Sequence, residues 1–369
     1  MKYIIILDEK FFNYGKRELE TLLNSDISFK KISNKLFLFE SDEEIPSSTH
    51  FIVIEGILKV NEVGRFAPDS IDYEKIIKAA EELLSKKNTF KIEVINAEFH
   101  NIQSAKDIAV KVGSELESKG YIPDLKNPLL YIYIFFTGIG TYIGKAENNN
   151  QLNIDAFRAA DSKDISRAQF KLKEAINYFK IDTRRIKFAL DIGAAPGGWS
   201  LEMLSRNVKV IAIDNAYLDY KFLCKDNKKC VVFADDKFSD LGSFQNISLL
   251  PTASITNIND LLNEDFSLYH IKRNINNLDV DFINKIKNII NFIMIDMNVM
   301  PKESAHQAIR FASTLNNDAC LIMTIKLFDT NINKYIKDVE ILNKFYKIIG
   351  IKKLPHNRNE LTLYAKYNK

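Results

Sequence analysis

Five short apolar runs in the second half of the chain, FALDIG, VKVIAID, CVVFAD, FIMID and CLIMTIK, constrain the fold most strongly. They are apolar throughout rather than alternating, and helical patterns separate them. Runs of this kind suit strands covered on both faces of a largely parallel α/β sheet. Each run also ends in charge: Asp191, Asp214, Asp235 with Asp236, Asp296 and Lys326. Ligands of open parallel sheets bind beyond the carboxyl ends of the strands. One terminal aspartate reads as a helix cap, whereas five strands finishing this way align their charges along one edge and point to a site.

The first half follows another pattern. Residues 1–60 read as an α+β subdomain of ferredoxin-like type: strand YIIIL, helix YGKRELETLLNS, strand KLFLF and an apolar run FIVIEG at 51–56. Residues 61–150 read as a second α+β domain, with helices at 72–87 and 104–120, a strand TFKIEVI at 89–95, and the strands LLYIYIFF and TYIG. Ser104 is the expected N-cap of the second helix and Gly120 its C′ residue. The segment AENNNQLN (146–153) is polar and aperiodic, the expected linker to a third domain over 151–369. Within that domain the Asn- and Ile-rich stretch near 237–290 fits no simple crossover and reads as an insertion.

Composition narrows the function. Lys+Arg 51 against Asp+Glu 48 leaves a net charge of +3, so affinity for nucleic acid must come from local patches. Nine Lys/Arg between 334 and 369 form one such candidate. Three cysteines, Cys224, Cys230 and Cys320, contain no CxxC pair, which predicts reduced thiols in a cytoplasmic setting and no metal site. His270, His306 and His356 are isolated and receive no chemistry. The longest apolar stretch, LLYIYIFF, falls short of the ~20 residues that cross a bilayer, and MKYIIIL is too short for a signal-peptide core; no membrane association is expected.

The loop after the first of the five runs is GAAPGGWS (193–200). Its glycines let backbone approach a ligand closely, and Gly197-Gly198 would open a helix. It does not match G-x-G-x-x-G, so the dinucleotide fingerprint fails. Asp214 follows Asp191 by 23 residues, a spacing that suits a carboxylate gripping ribose hydroxyls. A glycine loop flanked by carboxylates, with no P-loop lysine, favours a cationic nucleoside over a polyphosphate. S-adenosyl-L-methionine is the common one.

LDIGAAPGGWS (190–200) resembles the first motif of the FtsJ-like ribose 2′-O-methyltransferases, and ISRAQFKL (165–172) resembles their upstream helix. The resemblance implies a Rossmann-like methyltransferase domain and a Lys-Asp-Lys-Glu tetrad, matched here by Lys171, Asp296 in MIDMNVMP, Lys326 in TIKLF and Glu360 in PHNRNELTLYAK. It further implies cofactor contacts from Ser166, Asp191, Gly193, Ala195, Pro196, Gly197, Gly198, Trp199, Asp214, Asp235, Asp236 and Asp296. The contexts of Lys326 and Glu360 resemble the RlmM-like branch, which carries an RNA-binding THUMP domain and methylates large-subunit ribosomal RNA. Residues 90–144 are similar to such a domain. The substrate implied is RNA, ribosomal before transfer RNA.

Each tetrad residue has a plainer reading. Lys171 sits at the margin of the stripe Ile165, Ala168, Leu172, Ala175, Phe179 and could snorkel over apolar surface. Asp296 could cap the helix that follows, and Glu360 could be an edge-strand charge. Trp199 could pack the first helix instead of covering a nucleoside. Lys326 is harder to dismiss, because it closes a run that should be buried and lysines are rarely buried without a partner. Taken together the four favour catalysis. An NAD-dependent oxidoreductase lacks its glycine spacing here. An RNA-binding adaptor without catalysis leaves the tetrad unexplained.

Overall fold

The computed structural model describes residues 1–46, 49–65, 71–96, 104–148, 152, 167–225, 228–234, 246–251, 266–278 and 280–368. The chain divides into two compact units, Met1–Ala160 and Asp161–Lys369. Among the described residues no helix is long and apolar enough to cross a membrane.

The first unit runs β1 (Lys2–Ile6), α1 (Phe12–Leu23), β2 (Phe29–Lys31), β3 (Leu36–Glu40), β4 (Gly56–Gly64), α2 (Tyr73–Leu83), β5 (Thr89–Asn96), α3 (Ala105–Ser118), β6 (Ile122–Pro123), β7 (Leu130–Thr137) and β8 (Gly140–Glu147). These strands form one sheet in the order β2-β3-β1-β4-β8-β7-β5-β6. The domain boundary expected at 60/61 falls inside β4: Val60 pairs with Lys2 on one side and with Gly144 on the other. Both expected subdomains therefore share one hydrogen-bonded ladder. β7 is buried along its whole length, and period two splits it between cores. Tyr131, Tyr133 and Phe135 join β1, β3 and β4, whereas Ile132, Ile134 and Phe136 pack beneath α2 and α3.

Three local readings need correction or completion. The apolar run FIVIEG leads into β4, which starts at its Gly56, and before that Glu18 accepts the backbone N–H groups of Ile52 (2.5 Å) and Val53 (3.1 Å). The expected linker begins inside β8, and its Leu152 is buried in this unit's core, exchanging hydrogen bonds with the Tyr133 hydroxyl. Its remaining residues from 149 on lie outside the described set. Ser104 does cap α3, accepting from the Asp107 N–H at 3.1 Å, and Gly120 follows with φ +88°.

The second unit runs α4 (Arg167–Tyr178), β9 (Phe188–Ile192), α5 (Gly198–Ser205), β10 (Lys209–Asp214), α6 (Tyr220–Leu223), β11 (Lys229–Phe233), β12 (Ile247–Leu250), β13 (Phe266–Lys272), α7 (Val280–Lys285), β14 (Ile290–Ile295), α8 (Pro301–Arg310), β15 (Leu315–Lys326), α9 (Ile332–Val339), β16 (Tyr346–Lys352) and β17 (Glu360–Tyr367). The sheet order is β12-β11-β13-β10-β9-β14-β15-β17-β16, parallel except for β17, which runs antiparallel to both its neighbours. This is the α/β architecture the five apolar runs predict.

The stretch read as an insertion contributes two strands of that sheet. β13 lies between β10 and β11, with His270 level with Ala212 and Val232. The polar histidine interrupts the apolar run and hides the strand in the sequence. It is tolerated because its Nδ1 lies 2.6 Å from the Tyr220 hydroxyl, and burial pushes its pKa down to about 4, which keeps the ring neutral. β11 is therefore two strands from β10, roughly 10 Å at the usual ~4.8 Å spacing. Asp235 and Asp236, like Ser166, lie outside the described residues.

The thiol expectation also changes. Cys224, just past α6, and Cys230 in β11, six residues apart in sequence, form a disulfide with their Cα atoms 6.2 Å apart. Cys320 is free, and burial pushes its thiol up to about 12.

Candidate active site at the carboxyl edge of the second sheet

β9 is central in its sheet, so its carboxyl end sits where the β10 and β14 ends converge. Asp191, fully buried there, accepts from the Ser200 hydroxyl at 2.6 Å through Oδ2, while Oδ1 is buried with no hydrogen-bond partner. Burial raises its pKa to about 7; Asp296 and Asp214 add to the rise and Ser200 opposes it. A buried carboxylate oxygen without a hydrogen-bond partner would be stabilised by a cation brought beside it.

The loop beyond Asp191 needs its glycines. Gly193 has φ +78°, and a Cβ there would meet Met297 Cγ at 2.8 Å and the Asp296 carbonyl oxygen at 3.0 Å. Only a residue without a side chain lets the β9 loop lie against the end of β14. Gly197 has φ +115° and backs onto Leu223, and Gly198 opens α5. Asp214 fixes the same loop from the next strand: Oδ2 accepts from the Ala195 N–H at 3.0 Å and Oδ1 from the Ala216 N–H at 2.8 Å. The Pro196 carbonyl accepts from the Asp219 N–H at 2.8 Å. Trp199 is buried in the core cluster under the loop, so packing is the role its position gives it.

Beside this loop four charged side chains close a ring. Lys326 Nζ donates to Asp296 Oδ1 at 2.7 Å and to Glu360 Oε2 at 2.5 Å. Lys171 Nζ lies 3.5 Å from Asp296 Oδ2 and pairs closely with Glu360 Oε1. Each carboxylate thus gives one oxygen to each lysine, and the ring is neutral overall. Three secondary elements and a strand end supply it: α4 carries Lys171, the residue after β14 is Asp296, β15 ends in Lys326 and β17 begins with Glu360, and these last two face each other in register.

The electrostatics follow from this closure. Burial disfavours the Asp296 carboxylate, but the Lys326 and Lys171 ammonium groups outweigh it and hold the carboxyl below its ordinary value. Burial likewise disfavours the Lys326 ammonium, and Asp296 and Glu360 outweigh it and hold that pKa above the ordinary lysine value. Lys326 is therefore charged in the resting site.

Several contributors escape sequence reasoning. Thr324 donates to Asp296 Oδ1 at 2.9 Å. It lies two residues before Lys326, on the same face of β15, so strand periodicity carries the signal. Ser200 orients Asp191. Glu174 and His356 join α4 to the turn before Glu360 at 2.6 Å, a pairing with no sequence signal because 182 residues separate them.

Residues 165–339 match the family model of FtsJ-like methyltransferases. The chain is 36% identical over 110 residues to the ribosomal RNA large subunit methyltransferase M of Cellvibrio japonicus, covering 27% of this chain and 31% of that protein. The protein of the same name from Citrobacter koseri is 25% identical over 219 residues, 56% of this chain and 59% of the relative. An uncharacterized protein of Methanocaldococcus jannaschii is 25% identical over 224 residues, 59% of this chain and 51% of the relative. The chain thus spans about a third to three-fifths of the length of these relatives. The crystal structure of TrmN from Thermus thermophilus aligns over 100% of both chains at 11% identity, with a TM-score of only 0.36.

Methyltransferases of this family use S-adenosyl-L-methionine. The residues present fit it: the partnerless oxygen of Asp191 suits its positive charge, and Gly193 lets the loop that follows Asp191 lie against the end of β14. The sheet order and the glycine loop agree with that match: residues 165–339 of the second unit are similar to FtsJ-like methyltransferases.

Proposed function

We propose that this protein methylates ribose 2′-hydroxyl groups of RNA, with large-subunit ribosomal RNA as substrate. The observation that carries the reading is the closed ring of Lys171, Asp296, Lys326 and Glu360 beside the glycine loop. The names of the Cellvibrio and Citrobacter relatives support the substrate. The first unit, similar over 90–144 to a THUMP domain, is proposed to hold RNA.

When bound, S-adenosyl-L-methionine supplies a methyl group already activated on a sulfonium. The chain's own task is then to aim a hydroxyl and stabilise the charge that builds on its oxygen. Asp191 would hold the positive charge of the cofactor, and Asp214 its ribose. Because Lys326 is held charged, it works as a donor: two of its three Nζ–H groups go to Asp296 and Glu360, and the third would orient the 2′-oxygen and stabilise it as the hydroxyl proton departs to water. Asp296 and Glu360 keep Lys326 charged and aimed, and Lys171 keeps the two carboxylates from repelling each other. Positioning of this kind is worth up to ~7–11 kcal/mol where near-attack geometry is reached.

The test is product analysis. RNA from cells lacking the protein is incubated with the enzyme and labelled S-adenosyl-L-methionine, digested to nucleosides and resolved. The label is expected in a 2′-O-methylated nucleoside; label confined to base-methylated nucleosides would overturn the reading.

A further inference from the structure

His356 lies in the turn between β16 and β17, four residues before Glu360. Its ring Nδ1 sits 2.6 Å from Glu174 Oε1, and its backbone N–H donates to Glu174 Oε2 at 3.0 Å. The same ring stacks on Phe170, with centroids 5.2 Å apart and planes 18° apart. Both partners belong to α4, where Phe170 directly precedes Lys171 and Glu174 follows it by three residues. Residues three and four apart on a helix are surface neighbours, so His356 grips the part of α4 that surrounds Lys171. The result is two cross-links between the same two segments, Lys171 to Glu360 and Glu174 to His356.

α4 has other anchors as well. Phe179, just past its C-terminal end, packs on Tyr364 at 5.2 Å, and the Lys352 ammonium lies 5.6 Å from the Tyr178 ring centre. Gln169 donates to Glu202 of α5 at 3.3 Å, which ties the helix to α5 and not to β17. The buried face of α4 also packs toward that region, with Leu172, Ala175 and Ile176 in one core cluster with Leu354 and Tyr364, and the hydrogen bonds of His356 add a directional tie between the stretch bearing Lys171 and the turn before Glu360. A lysine reaches its partners on a flexible four-carbon stem, so its ammonium meets two carboxylates at once only if its backbone is held.

We infer that His356 is a positioning residue for Lys171. It clamps α4 through Glu174 and Phe170, acts on turnover only through Lys171, and does not touch the reacting atoms. The inference rests on the role proposed for Lys171.

The test is a double-mutant cycle of His356→Ala and Lys171→Ala, with labelled S-adenosyl-L-methionine as donor and total RNA from cells lacking the protein as acceptor. His356→Ala is expected to lower kcat by ~10²-fold, the effect of misplacing a group by about 1 Å, with the Kd for S-adenosyl-L-methionine unchanged by calorimetry. His356→Asn, which keeps a donor for Glu174, should recover most of the loss. The double variant should be no slower than Lys171→Ala alone, because residues acting as a unit are not additive. A His356→Ala enzyme with normal kcat, or losses that multiply in the double variant, would overturn the inference while leaving Lys171 in place if its own variant is slow. A Lys171→Ala enzyme of undiminished kcat would overturn both readings. If His356→Ala does not fold, Glu174→Gln takes its place in the cycle, with the same two outcomes deciding.

Discussion

Lys326 and Glu360 are register partners across the antiparallel β15–β17 ladder, and their side chains close a 2.5 Å hydrogen bond at the ladder's end. The sheet itself therefore fixes half of the charged ring. Parallel strands would have put the start of β17 at the opposite edge; the single reversal of β17 brings its first residue to the edge where β15 finishes.

Replacing Lys326 by Ala removes the donor aimed at the hydroxyl and leaves two carboxylates facing Lys171 alone. Turnover should fall by ~10²–10⁴-fold, as for loss of a positioned proton or oxyanion donor. Calorimetry should find the affinity for S-adenosyl-L-methionine near the parent value, and a parallel loss of binding would mean the lysine supports the fold of the pocket instead.

Asp191 sets a pH dependence of binding. With its pKa raised to about 7 by burial, ionisation to receive a cation releases a proton below that pH. Affinity for S-adenosyl-L-methionine should rise about tenfold from pH 6 to pH 8. Asp191→Asn should bind weakly with a flat profile, and a flat profile in the parent would remove Asp191 from the site.

The same group affects stability without ligand. Its folded pKa lies above the unfolded value, so the folded state holds the proton more tightly. Its contribution is fully present below about pH 4 and is lost as pH rises through about 7, by at most ~4 kcal/mol. Denaturant unfolding should show Asp191→Asn gaining on the parent as pH rises across that window; a constant difference would contradict this.

Much of this was legible in the residues and some was not. The apolar runs with charged ends predict a parallel sheet and an edge site, because burial on both faces leaves a direct mark on composition. The positions of Lys326 and Glu360 follow from strand alternation and one antiparallel strand. β13 escaped because a buried histidine, hydrogen-bonded at Nδ1 to a tyrosine 50 residues away, broke its apolar run. The boundary at 60/61 escaped because β4 alternates weakly and its two neighbours come from distant parts of the chain. Glu174 and His356 meet only through the packing of α4, and no local pattern encodes that.

Gly193→Ala should be costly for reasons of shape. The residue sits at φ +78°, and its new methyl would press on Met297 and the Asp296 carbonyl. Strain of this kind costs on the order of 1–3 kcal/mol. Thermal unfolding should show the loss together with weakened S-adenosyl-L-methionine binding; a variant with parent-like values in both would mean the loop has room to spare.

Site-resolved mapping of ribose methylation in large-subunit ribosomal RNA from cells lacking this protein bears most directly on the chemistry assigned to the four-charge ring. One 2′-O-methyl group should disappear, returning with the parent gene but not with Lys326→Ala. An unchanged methylation map, or full restoration by the alanine variant, would contradict the account.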